Sequence, residues 1–357
     1  ESDVLRRGMS GKFRSKEEFQ KVKDQFFAQA HKKKHPPTLV NEVWHQIESF
    51  AGYSFAKGHS ASYAVESYQS LHLKAYYPLE FYAAVINNFG GFYRTEFYVH
   101  AARMCGADVQ APCVNHSRFL TKIEGHTLWL GLGLVQSLEH KVIERIINQQ
   151  SIGPFEDLYD FKTRCEPGLE QMKILIRIGA LRFTGKTRRA LFWECHALHN
   201  EKKTLVPAAP LFVEKPKEYT LPDLEDSWLE EAIDQRELLG FPLCNPFKLS
   251  LEDEVPPSNI RGKHFASMLG QTLYLEGYLV TVKPTKTLGG KEMNFGTWLD
   301  RDGYFFDTVH FPPVVARNPF KGRGIYRLWG TVVEDFGVVA LEVTKMEKMG
   351  VRIVNSL

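Results

Sequence analysis

The sequence predicts a multidomain α+β chain, mainly helical as far as about residue 239 and all-β from about residue 271. Three observations carry this reading. Apolar residues recur at helical spacing from Ser15 to Cys105, punctuated by Pro and Gly. Five short alternating runs, separated by turn residues, crowd between Gln271 and Glu347. Local charge changes sign within the helical part, basic over Lys162 to Arg189 and acidic over Glu214 to Glu237, although the whole chain is nearly balanced at +3.

The bulk properties set limits. A chain of 357 residues, 43% of them hydrophobic, can bury two or three cores. With so small a net charge, any nucleic-acid surface must come from local asymmetry. The five cysteines are odd in number and widely spaced, with no C-x-x-C pair. Reduced thiols are expected, with neither zinc nor a disulfide framework. No apolar run approaches the ~20 residues of a membrane span. The opening Glu1-Ser2-Asp3 has no initiator Met and no signal-peptide pattern, so the chain reads as a piece of something longer, natural or cut.

The elements follow in order. Ser15 and Glu18 fit a capping box, and Phe19, Val22, Phe26 and Ala30 share one face of a helix to about Lys34. Pro36-Pro37 closes it. Val40, Val43, Trp44, Ile47 and Phe50 mark a second helix, stopped by Gly52. A short loop with Lys57 and His59 precedes a third helix from about Ser60, whose Ala64, Tyr68, Leu71 and Ala75 are expected inward. Cationic and hydrogen-bonding side chains beside unpaired helix amides outline an anion site. Pro78 starts a helix to about Asn88, Gly90 to Tyr93 form a turn, and Thr95 to Cys105 are helical again.

Thr127 to Leu132 alternate like a strand. The segment Leu130-Gly131-Leu132-Gly133-Leu134-Val135 leads into a helix from Glu139 to Asn148. Leu175 to Leu181, with Gly179 at its turn, precedes the basic run Arg182 to Arg189. Both resemble helix-hairpin-helix turns, whose backbone N–H groups approach a DNA phosphate. Lys162 to Arg189 hold eight Lys and Arg against two acids, so Lys186, Arg188 and Arg189 join Gly131, Gly133 and Gly179 as candidate DNA contacts. Glu214 to Glu237 reverse the sign, three against nine. That acidic stretch reads as a linker leading into a helix from Ser227 to Leu239, with a plain solvated face as the competing reading.

Strands are expected at Leu273–Lys283, Met293–Asp300, Tyr304–Phe311, Arg323–Val333 and Val338–Lys345. Five such strands fit an OB-fold barrel. Its exposed aromatics, Trp298 and Trp329 foremost, are candidates for stacking on single-stranded bases. Asp300-Arg301-Asp302 lies in a Gly-containing turn and reads as turn chemistry.

Three local strings together resemble a known family. Phe55-Ala56-Lys57-Gly58-His59-Ser60 runs into a helix that ends Lys74-Ala75-Tyr76-Tyr77-Pro78-Leu79-Glu80-Phe81. Asp3-Val4-Leu5-Arg6-Arg7-Gly8-Met9 opens the chain, and Gln235 to Leu243 precedes the β region, with Asn245-Pro246 where the family usually has His-Pro. They resemble the C-terminal half of the bacterial DNA polymerase III alpha subunit, the family C polymerase. Asn87-Asn88-Phe89-Gly90-Gly91-Phe92-Tyr93 is closer to its error-prone paralogue, which implies translesion synthesis as the alternative to replication.

The resemblance implies a division into helical fingers over 1–125, a tandem helix-hairpin-helix region over 126–205, an acidic linker and helix over 206–262, and an OB-fold domain over 263–357. Nucleotide binding would fall to Arg6, Arg7, Lys57 and His59, guanidinium forks suiting a triphosphate. The partners implied are primer–template and single-stranded DNA, a deoxynucleoside triphosphate, and the sliding clamp, with Leu211-Phe212 as the nearest clamp-binding pair although the usual Gln is missing. The setting implied is cytoplasmic and nucleoid-associated. Two Mg²⁺ ions about 4 Å apart serve the family's chemistry, held by palm aspartates that precede the fingers; no such cluster is recognisable in this sequence. The expected chain therefore binds DNA and nucleotide without polymerising alone. The competing reading is a non-catalytic DNA-binding or assembly module built from the same parts.

Overall fold

The computed structural model describes residues 16–49, 57–200, 225–251, 255–287, 289–335 and 337–352. The chain forms two compact units, Glu1–Tyr76 and Tyr77–Leu357.

The first unit contains α1 (Lys16–Lys32), α2 (Pro37–Ser49) and α3 (Lys57–Tyr76). Pro37 is the first residue of α2 rather than only a stop, since a fixed φ and a missing N–H cost nothing there. Trp44 is the anchor of the α1–α2 pair, buried against Phe26 and Phe27 at centroid distances of 5.3 and 5.9 Å. Lys23 and Glu48 join the two helices at 3.0 Å. The third helix departs from expectation. It already starts at Lys57, and the face expected inward is exposed, Tyr68 at 75% and Leu71 at 64%. Helical periodicity marks that face as apolar but cannot say whether anything covers it.

The second unit opens with α4 (Pro78–Asn87) and α5 (Thr95–Met104). The Tyr98 hydroxyl accepts the amides of Gly91 and Tyr93, which pins the turn between them. Strands β1 (Asp108–Gln110), β2 (Lys122–Glu124) and β3 (Thr127–Trp129) form a small sheet in the order β1-β3-β2. Then come α6 (His140–Gln150), α7 (Leu158–Cys165), α8 (Leu169–Arg177), α9 (Arg188–Asn200) and α10 (Trp228–Leu238). One core runs through all of these, including Ile86, Val99, Leu128, Ile143, Leu175 and Leu238. The boundary expected at 125/126 falls in the turn of the β2–β3 hairpin and does not divide two cores.

The barrel comprises β4 (Thr272–Lys286), β5 (Glu292–Leu299), β6 (Phe305–His310), α11 (Pro312–Arg317), β7 (Ile325–Asp335) and β8 (Val338–Lys348). It closes in the order β4-β5-β6-β8-β7, with β6 and β8 parallel and a helix between the third and fourth strands. This is the OB-fold. The first half of β4 pairs with β7 and the second half with β5, the register shifting between Leu279 and Thr281. Such a bulge bends one long strand around the barrel. Trp298 is fully buried at the centre and donates its indole N–H to Thr308 Oγ1 at 2.7 Å. The assignment of Trp298 as a base-stacking residue is therefore corrected: it is core.

Barrel and helices meet along α5. Arg94 donates to the Leu279 carbonyl at 3.2 Å, His100 Nε2 donates to the Gly303 carbonyl at 2.8 Å, and the Phe97 ring meets that of Tyr278.

Candidate nucleic-acid interface

The first hairpin does not use the residues expected. Gly131 is where it is because a side chain would collide with the backbone of residues 119 to 121, the nearest atom being 2.4 Å from a built Cβ. Its N–H donates to Thr121 Oγ1, and the N–H of Gly133 donates to the Phe119 carbonyl at 2.9 Å. Neither amide is open to a phosphate, which corrects both assignments.

The turn proper is Gln136 to Glu139, with Ser137 at φ +62°. Gln171 on α8 holds it from both sides: its Oε1 accepts the Glu139 amide at 2.8 Å and its Nε2 donates to the Ser137 carbonyl at 3.1 Å. Helix α6 then begins with no side-chain cap. The amides of His140 and Lys141 make no hydrogen bond among the described residues. Lys141 is exposed beside them, without an ion-pair partner among the described residues. The unpaired first-turn donors and a nearby cation suit an anion.

The second hairpin is organised otherwise. Gly179 takes φ +74° at the end of α8, and the amides of Gly179 and Ala180 return to the Ile176 and Leu175 carbonyls. This is a helix C-cap, which needs glycine for its left-handed backbone and leaves no donor for phosphate. At the start of α9 the Asp226 carboxylate accepts the Arg188 amide at 2.8 Å and the Arg189 amide at 3.4 Å. The Arg188 side chain is 11% exposed and reaches Asp234 at 3.1 Å and the Ser227 carbonyl. Arg177 also binds Asp234, and pairs with Glu237. Burial pushes the Asp234 carboxyl up, opposed by Arg177 and then Arg188. The acidic stretch is thus not merely a solvated face, because its helix turns carboxylates onto the basic hairpin. Arg188 is correspondingly held inside an ion-pair cluster. Arg189 pairs with Glu230 and Lys186 with Glu194, but both cations are half-exposed, and such pairs exchange partners at little cost.

On the barrel, adjacent strands carry a row of side chains outward. Lys283 stands opposite Phe295, which stands opposite Val309; in the next row Thr297 donates to Asp307 at 2.8 Å. Phe295 is 42% exposed and Lys283 is exposed. Phe305, 49% exposed, lies on the same sheet near His100. Sequence reasoning missed Phe295 and Phe305. The signal was the odd spacing from Trp298 to Phe295: strand alternation sends one inward and the other outward. Trp329 does face outward, on β7, half-buried, with Lys345 4.5 Å from its ring centroid.

Arg6, Arg7, Leu211 and Phe212 lie outside the described residues. Lys57 begins the backbone of α3, and His59 is exposed in its first turn. Among the described residues no three carboxylate, histidine or cysteine side chains gather as metal ligands. Asp300 and Asp302 do not fit a two-metal centre. Asp300 accepts the amides of Gly262, Asp302 and Tyr304, and Asp302 pairs with Arg261 and Lys263. No described helix is long and apolar enough to cross a membrane.

Parts of the chain are similar to known proteins. The helix-hairpin-helix motif family matches residues 106–191. The DNA polymerase III alpha subunit of Thermus aquaticus is 34% identical over 196 residues, 54% of this chain and 16% of that protein. That of Aquifex aeolicus is 27% identical over 319 residues, 88% of this chain and 26% of that protein. The error-prone DNA polymerase of Mycobacterium tuberculosis is 30% identical over 213 residues, 58% and 19%. The chain is therefore similar to both kinds of polymerase, and its matches span 16% to 26% of the length of these relatives. Among solved structures, the second OB-fold domain of replication protein A from Methanococcus maripaludis matches at 16% identity and a TM-score of 0.17, over 25% of this chain and 91% of that one.

Proposed function

We propose that this chain is a DNA-binding portion of a DNA polymerase of the III alpha type, holding duplex and single-stranded DNA rather than performing phosphoryl transfer itself. The observation that carries the reading is the outward row Lys283–Phe295–Val309 on the OB barrel. An exposed ring stacks on any base, and a neighbouring ammonium follows the phosphate backbone. The first hairpin supplies a second contact, in which the amides of His140 and Lys141 and the Lys141 side chain bind one phosphate of the duplex. Lys186, Arg189 and Trp329 are auxiliary contacts on this reading.

Binding of the incoming nucleotide by Arg6, Arg7, Lys57 and His59, and of the sliding clamp by Leu211 and Phe212, belongs to the same proposal and rests on the sequence resemblance. So do action at the nucleoid in the cytoplasm and inactivity of this chain alone. The Mg²⁺ ligands that the resemblance implies are palm aspartates, and none of the described acidic residues fits that role.

The test is equilibrium binding of the chain to oligo-dT and to a primer–template duplex over a range of salt. Affinity for both, falling steeply as salt rises, is expected of a surface that releases counterions. Absence of binding at low salt would overturn the reading. The non-catalytic module reading is separated by chemistry: the longest available form of the protein should extend a primer when given Mg²⁺ and deoxynucleotides, and a module would not.

A further inference from the structure

Between α5 and the barrel lies a cavity of about 510 Å³, closed on its third side by residues 241 to 247. Its walls are largely apolar, with Phe97, Tyr278, Phe247 and Leu299 prominent. Into it project three carboxylates and one arginine whose situations differ. Glu96 is held by Arg94 at 3.4 Å and by Arg323. Asp300 accepts three backbone amides, and Asp302 pairs with Arg261 and Lys263. Every carboxylate there has partners. Arg103 has none: it lines the cavity, and among the described residues its side chain makes neither a hydrogen bond nor an ion pair. Asp108 acts on it only from beyond ion-pair distance, and that carboxylate is itself bound by Gln110. Burial lowers the tendency of Arg103 to hold its proton, opposed only by longer-range attraction from Cys244 and then Asp108, so among the described residues the guanidinium has no direct partner for its charge.

We propose that this cavity binds a small organic anion, an aryl or alkyl carboxylate or phosphate monoester, with its charged group on Arg103 and its apolar body against Phe97, Tyr278 and Leu299. The guanidinium fork suits either oxyanion bidentately. The His100 ring, whose Nε2 is fixed on the Gly303 carbonyl, forms the polar wall one turn before Arg103. The volume lies in the range of small-molecule sites, whose few polar groups set orientation while apolar walls supply area. Phosphate alone would leave those walls wet, so an organic body is part of the recognition. This inference does not depend on the DNA-binding reading, since none of these residues belongs to either proposed DNA surface.

The experiment is calorimetric titration of the chain with phenyl phosphate, with phenylacetate and with inorganic phosphate. At least one aryl anion should bind with submillimolar Kd, and inorganic phosphate at least tenfold more weakly. Arg103→Gln should weaken the aryl anion at least tenfold, and Arg103→Lys should recover part of the loss. Should Arg103→Gln fail to fold, Leu243→Trp fills the cavity from the opposite wall without touching the charge and should abolish binding. Which aryl anion binds distinguishes carboxylate from phosphate. Failure of both to bind at millimolar concentration, or equal binding by the folded Arg103→Gln and Leu243→Trp variants, would overturn the proposal.

Discussion

Asp226 accepts the backbone N–H of Arg188 at 2.8 Å, so the first turn of α9 is closed by a carboxylate of the chain itself. The contact joins two segments separated by residues 201–224. It also accounts for the asymmetry of the hairpins: the α6 amides are open and those of α9 are filled. Removing an N-cap side chain typically costs about 1 kcal/mol. Asp226→Ala should therefore lower the stability of the second unit by roughly that amount, read as a shift of the urea midpoint at unchanged slope.

The first hairpin gives a prediction with a different signature. Lys141→Gln should weaken duplex binding across all sequences and reduce the salt slope by about one phosphate contact. Single-stranded affinity should change much less, because the barrel carries it. Fluorescence anisotropy with matched duplex and single-stranded probes separates the two.

Glu276 is 2% exposed on β4 and accepts from Arg327 Nε and Arg301 Nε, each at 3.2 Å, and from the Ser258 amide. Removing one member of a buried ion pair typically costs about 3–5 kcal/mol, because the other charge remains buried. Glu276→Leu should destabilise the barrel by an amount of that order in thermal or urea unfolding. Double replacement of Glu276 and Arg327 by apolar residues should cost less than Glu276→Leu alone.

His310 gives the pH dependence. It is fully buried at the end of β6, shares a hydrogen bond of 2.8 Å with Thr308, and leaves Nδ1 without a partner among the described residues. Burial pulls its pKa down from 6.5 to about 4. The unfolded chain then takes up a proton below pH 6.5 that the folded one refuses until about pH 4. Its contribution to stability is complete above pH 6.5 and lost as pH falls through that window, on the order of 3 kcal/mol in all. His310→Leu should remove this part of the pH dependence, seen as a shallower loss of stability than the parent between those limits.

Much of the fold was legible because local signals agreed with it. Pro78 at a helix start, the helix from Ser227 and the five alternating runs each sit where the structure has the corresponding element. The sites were less legible, for physical reasons. The sequence pattern suggests phosphate-contacting glycines at Gly131 and Gly179, but one answers to close packing and the other to a left-handed helix end. Sequence cannot distinguish these uses of glycine, since each needs only a missing Cβ. Trp298 and Phe295 lie three residues apart, and alternation ties them to opposite faces without saying which is inside. The ion pairs from α10 to α8 and α9 join residues about 40 to 60 apart in sequence. No local pattern reports them, and so a basic run looked freer than it is.

The measurement that bears most directly on the central claim is the affinity of Phe295→Ala for single-stranded oligo-dT, at fixed moderate salt. The ring is exposed, so its removal should leave the melting temperature nearly unchanged. If the outer row of the barrel stacks on bases, affinity should fall by about 1–3 kcal/mol, roughly five- to 150-fold. An unchanged affinity in a folded Phe295→Ala chain would contradict the account and move the single-strand site off this face.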